Sequence, residues 1–178
     1  MSNASADSKH FALRPAEPRD VPAIVSLIRE LAEFERLAHL VQATPEALHP
    51  HLFGAKPVAE ALVAEVAGER VDERVDEREG EVVAFALYFT NFSTFLARPG
   101  LYLEDLYVRP EHRGAGIGEA LLARLACTAA ERGCGRFEWS VLDWNERAIR
   151  FYERMGATVM PDWRICRISG EALRAFAA

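Results

Sequence analysis

A glycine run past the middle of the chain, Arg113-Gly114-Ala115-Gly116-Ile117-Gly118, sets the tightest limits on its architecture. It follows an apolar segment of strand type, Leu101 to Val108. It opens an Ala- and Leu-rich segment of helix type, Gly116 to Arg132, which Gly133 stops. Glycines at alternate positions let the backbone turn tightly and let a ligand come close to it. A helix that begins in such a turn aims its unpaired N–H groups, and the positive end of its dipole, at whatever lies above. An anion is the natural occupant, and a diphosphate is a good one. Two other phosphate-loop readings are weakened. A Walker loop needs Gly-Lys-Ser/Thr, and this run has no lysine. The dinucleotide fingerprint is G-x-G-x-x-G, and this run is one residue short. A glycine-rich turn without a ligand is the plain alternative.

The periodicity around this run predicts the other elements. Phe11 to Arg14 reads as a short strand ended by Pro15. Asp20 is placed to cap a helix with Pro22 in its first turn, and Val21, Ile24, Leu27, Ile28, Leu31 and Phe34 recur at helical spacing. Thr44-Pro45-Glu46 starts a second, short helix. Ala61 to Val66, Val82 to Phe89, Phe137 to Val141 and Trp163 to Ile168 read as strands. Asn145 to Met155 reads as a helix closed by Gly156, and a short helix follows Ser169. The order β-α-α-β-β-β-α-β-α-β predicts an α/β fold of the mixed α+β kind. Its twisted central sheet is mostly antiparallel, with helices on both faces. The segment at about 68–80 carries Val-Asp-Glu-Arg twice between Gly68 and Gly80. It reads as a charged hairpin insertion too poor in apolar side chains to order firmly. Residues 1–9 read as a disordered segment or a tag remnant, and 10–178 as a single domain.

Charge and cysteine content narrow the partners. The 21 basic and 27 acidic residues leave a net charge of −6, with no basic concentration of the kind nucleic-acid binding needs. No apolar run is long enough to span a membrane, and no signal peptide is indicated. Three cysteines, Cys127, Cys134 and Cys166, lack metal-type spacing. Their odd, sparse count suits a cytoplasmic protein, in which all three pack as small hydrophobes. His49-Pro50-His51 has no evident third ligand, so no metal is expected.

The pattern Arg-x-x-Gly-x-Gly between a strand and a long helix resembles the acetyl-CoA diphosphate loop of the GNAT superfamily of N-acetyltransferases. Four further blocks look like its diamine (spermidine/spermine) acetyltransferase branch. They are Arg14-Pro15-Ala16, the helix from Leu27 to Glu35, Leu101 to Val108, and Asn145 to Tyr152. The resemblance runs from about Phe11 to the C-terminal helix. It implies a GNAT fold whose strands splay apart at the cofactor, acetyl-CoA as the acetyl donor, a small amine as acceptor and a homodimer. A protein or peptide acceptor, or a CoA-binding sensor without turnover, are the competing functions.

Acetyl transfer to an amine needs a group to remove a proton from an ammonium and another to protonate the leaving thiolate. Strand alternation predicts that Glu104 shares a face with Tyr102, Leu106 and Val108, among apolar neighbours that suit a base. The resemblance gives Glu104 that role, and Asp105 is the nearest rival. Helix spacing puts Tyr152 on one side with Ala148 and Ile149, and the resemblance makes it the acid. The cofactor set is Leu106, Tyr107, Val108, Arg113, Gly114, Ala115, Gly116, Ile117, Gly118, Asn145, Arg147, Ala148 and Tyr152. Asn145 reads as helix cap and cofactor contact together, and either Arg113 or Arg109 faces the diphosphate. Phe34 and Glu35 match acceptor-contacting positions of the branch. Asp162 and Glu104 complete the acceptor set.

Overall fold

The computed structural model describes residues 11–67 and 80–177. The N-terminal segment and the two Val-Asp-Glu-Arg copies lie outside the described residues. The chain divides into two compact units, one ending at Ser140 and one beginning at Val141.

The first unit holds a five-stranded sheet in the order β1-β2-β3-β4-β5. Its strands are β1 (Phe11–Pro15), β2 (Glu60–Val66), β3 (Glu81–Ser93), β4 (Arg98–Val108) and β5 (Phe137–Trp139). The first four are antiparallel, and β5 runs parallel to β4. Pro15 ends β1 opposite Leu62; on an edge strand its missing N–H costs no ladder bond. β3 and β4 extend well past the expected bounds and pair out to Ser93 and Arg98.

Helices cover both faces. On one lie α1 (Val21–Phe34) and α2 (Pro45–Phe53), where Ile24, Leu27 and Leu52 pack with Val63, Phe85, Leu87 and Tyr107. On the other lies α3 (Ile117–Glu131), which buries Leu121, Leu122, Leu125 and Ala129. Thr44 caps α2 as expected, its hydroxyl accepting from the Ala47 N–H. Asp20 does not cap α1 through its side chain. Its buried carboxylate instead accepts from both terminal nitrogens of Arg14, at 2.6 and 2.9 Å, and from the Glu17 N–H at 2.7 Å. A strand cation 6 residues away outcompetes the local cap.

Two irregularities break strand alternation. Ala64 pairs with Ala84 but Glu65 with Val82, so Val83 is a bulge. Leu87 pairs with Asp105 but Tyr88 with Leu103, so Glu104 is a second one. The expected face for Glu104 is therefore corrected. Tyr102, paired with Phe89, shares the α1 face with Asp105 and Tyr107, and Leu103 shares the α3 face with Leu106 and Val108. The inserted residue reverses the side-chain phase.

The second unit contains α4 (Glu146–Arg154) and α5 (Gly170–Arg174). The strand expected over Trp163–Ile168 is not formed. Trp163, Ile165 and Ile168 are 74%, 70% and 58% exposed, and no strand among the described residues pairs with them. Alternating apolar residues favour a strand only where a neighbour is there to pair.

Candidate functional site

The site grows from how β4 ends. β4 pairs with β5 only over Leu101–Leu103. From Glu104 to Val108 its outer edge has no strand neighbour among the described residues. That is the splayed edge the sequence anticipated. Directly beyond it the chain makes one turn of 3-10 helix and enters the glycine run.

Gly114 and Gly116 adopt φ of +88° and +81°, the left-handed region that L side chains rarely enter. A Cβ at either would have no atom within 4 Å, so space lies over both. Gly116 is the N-cap of α3 and offers no side chain to its first N–H groups. The turn is thus an open cradle of main-chain donors at the positive end of a 15-residue helix. This chemistry fits a diphosphate.

Two arginines flank the run, and both reach α1. Arg109 pairs with Glu30 at 3.1 Å and with Glu81. Arg113 donates its Nε–H to the Val108 carbonyl at 2.8 Å. Its guanidinium carbon lies 5.4 Å from the ring centroids of both Phe34 and Tyr107. Phe34 and Arg113, expected on the acceptor and cofactor sides respectively, are therefore in direct contact.

α1 ends at Phe34. Glu35 is its C-cap, and Arg36 takes φ +62°. The Leu37 N–H donates to the Ala32 carbonyl at 2.7 Å and the Arg36 N–H to that of Glu33 at 3.0 Å. This left-handed closure reverses the chain immediately after Glu35. Three carboxylates share this neighbourhood. Burial first, then the charges of Glu104 and Glu35, push the Asp105 carboxyl up to about 6. Burial also raises Glu35. Glu104 itself is exposed on the bulge. Sequence patterning undervalued Asp105, because nothing local announces the bulge beside it. It also missed Glu30, although Glu30 and Phe34 sit four residues apart on one helix face.

Asn145, Arg147, Ala148, Tyr152 and Asp162 belong to the second unit. Asn145 caps α4, its side-chain oxygen accepting from the Ala148 N–H at 3.2 Å. Ala148, Ile149 and Tyr152 are half-buried on one side of α4, and Arg147 is exposed. The Tyr152 ring lies 5.3 Å from that of Phe151, tilted at 53° to it. Asp162 is exposed. The expected packing of all three cysteines is corrected: Cys127 and Cys166 are exposed, and only Cys134 is partly covered. His49 contacts the Phe53 ring. No cluster of three His, Cys, Asp or Glu suited to a metal occurs among the described residues. No helix among them is long and apolar enough to cross a membrane.

Comparison with known proteins supplies the family. Residues 34–157 match the model of the acetyltransferase (GNAT) family. The chain is 37% identical over 196 residues to an L-ornithine N5-acetyltransferase of Arabidopsis thaliana, covering 92% of this chain and 86% of that protein. It is 39% identical over 168 residues to the mouse (Mus musculus) thialysine N-epsilon-acetyltransferase, covering 93% and 96%. An integron cassette protein from the mobile metagenome of V. cholerae superposes with a TM-score of 0.71 at 23% identity, covering 94% and 98%, which shows the shared fold. On the family match and the two relatives together, this chain belongs to the acetyltransferase (GNAT) family.

Proposed function

We propose that the protein is an acetyl-CoA-dependent N-acetyltransferase. It acts on a primary amine of a small cationic acceptor: a polyamine, a diamine or a lysine-like amino acid. One observation carries this reading. An unpaired stretch of β4 edge leads, through two left-handed glycines, into the open N-terminus of α3. A thioester cofactor with an amide-bearing arm and a diphosphate matches both parts. The edge from Leu106 to Val108 would pair with the arm as an added strand does, and the turn from Gly114 to Gly118 would hold the diphosphate.

Acetyl-CoA supplies an activated acyl carbonyl; this chain's residues do the rest. The acceptor arrives as an ammonium, since an alkylamine of the lysine type has a pKa of about 10.4. Glu104 takes one proton from it. The neutral nitrogen attacks the carbonyl, the N–C bond forms and the C–S bond breaks. The Tyr152 hydroxyl gives its proton to the departing sulfur, the second proton of the acylated nitrogen restores the phenol, and Glu104 passes its own proton to water. Glu35 and Asp105 provide the negative field that attracts the acceptor's positive charges, and Phe34 offers a ring face to its alkyl chain. Relatives named for ornithine and thialysine support a diamino acid, whose side-chain amine extends from a charged head. The reading includes a homodimer in the cytoplasm, and sedimentation at micromolar concentration tests the dimer.

The decisive assay is thiol release from acetyl-CoA with L-ornithine, thialysine, spermidine and a lysine-bearing peptide. Turnover on a small diamine far above that on the peptide supports the proposal. Preference for the peptide overturns the acceptor class. CoA binding with no turnover on any amine favours the sensor instead.

A further inference from the structure

The connection between β4 and α3 grips α1 twice, at successive turns of one face. Arg109 holds Glu30, and four residues on, Arg113 holds Phe34. The two grips differ in kind. Arg109 is tied to carboxylates on two elements, Glu30 of α1 and Glu81 of β3. Neither of these partners belongs to the glycine turn. Arg113 is the first residue of the turn itself, and Gly114 with its left-handed φ follows at once. Its guanidinium rests between a buried ring, Tyr107 at 6% exposure, and a half-exposed one, Phe34 at 43%. One ring is a buried floor and the other a partly exposed cover. The residue after that cover is Glu35, at the left-handed end of α1.

We propose that Arg113 is a positioning residue that couples the two halves of the site. When the glycine turn is filled, the backbone of Arg113 is fixed. Its guanidinium, held to the Val108 carbonyl, then pins Phe34 and with it the closing turn of α1 that carries Glu35. Filling the donor side therefore steadies the acceptor side, and by linkage an acceptor bound at Glu35 tightens the donor by the same factor. The coupling uses the planar face and the Nε–H of the guanidinium together. A lysine supplies the charge but neither of these. The inference rests on the cofactor reading above.

The test is amide hydrogen exchange, read by mass spectrometry over residues 33–38, with and without saturating CoA. The amides of Arg36 and Leu37 close the α1 turn and report its opening. Calorimetry first establishes the CoA affinity of each protein, so that each is saturated. The quantity compared is the ratio of exchange rates with and without CoA, from which a static structural contribution cancels. In the parent protein CoA should slow these amides by about threefold, the scale of one partly exposed cation–π contact. The ratio should fall to about one in Arg113→Lys and in Phe34→Leu, while α2 shows no CoA response in any of them. An unchanged ratio in both variants, or no slowing in a parent protein that binds CoA, overturns the coupling alone. No CoA binding to the parent protein overturns the cofactor reading and this inference with it.

Discussion

The two units of this chain put their helices to different ends. In the first, α3 buries Ile117, Leu121, Leu122, Leu125 and Ala129. In the second, α4 has a clean apolar side yet buries nothing, and no residue from Val141 to Ala177 is buried. Burial of apolar area is the main stabilising term in folding. The first unit therefore carries the stability and the glycine turn. The second carries the proposed acid, Tyr152, with almost no core of its own. The comparison teaches that chemistry and stability are separable here, and substitutions should separate them.

Phe85→Ala should act most strongly. Phe85 is fully buried between β2 and β4, and its removal leaves a cavity that should cost about 3–5 kcal/mol in urea unfolding. A cost near 1 kcal/mol would break the assignment of stability to the first unit. Tyr152→Phe should lower kcat by about 100-fold, while CoA affinity and the unfolding midpoint stay put. A wild-type kcat would remove Tyr152 as the acid. Gly116→Val places a β-branched side chain at φ +81°, with a strain of about 1–3 kcal/mol and a side chain over the cradle. CoA affinity by calorimetry should fall at least about tenfold, and an unaltered affinity would move the diphosphate elsewhere.

Asp105 gives a finer test through pH. Its folded carboxyl titrates at about 6, above the unfolded value of about 3.9. The folded state binds the proton more tightly, so stability falls as pH rises from about 4 to 6. Asp105→Asn should thus raise the thermal midpoint at pH 7, with the difference vanishing near pH 4. It should also remove a limb near pH 6 from kcat/KM for a diamine acceptor, whereas Glu104→Gln should depress kcat across the range. Loss of kcat in Asp105→Asn alone would make Asp105 the base. The smallest effect belongs to Ile168→Ala, on an exposed residue of the second unit, which should stay within about 0.5 kcal/mol.

Much of the site was legible because it is local. The glycine run, the Thr44 and Asn145 caps and the apolar stripe of α1 each depend on a few consecutive residues. Their backbone preferences act over one turn or less. The proposed donor half, Leu106 through Gly118, was read the same way, from a strand that ends in a turn. The proposed acceptor half was less legible, since Glu35 and Asp105 come near each other only after β4 and α1 pack together.

What the amino-acid sequence determined by itself was the order of elements as far as α4, the open turn at α3 and membership of the family. Tertiary structure alone decided four things. It gave Asp20 to Arg14 instead of to a helix cap, and it set a bulge at Glu104 that turned Asp105 toward α1. It laid Arg113 on Phe34 and left Trp163–Ile168 without a strand partner among the described residues. Each of these depends on which distant residue arrives opposite. That is fixed by packing and register across the sheet, and no short window of sequence contains it.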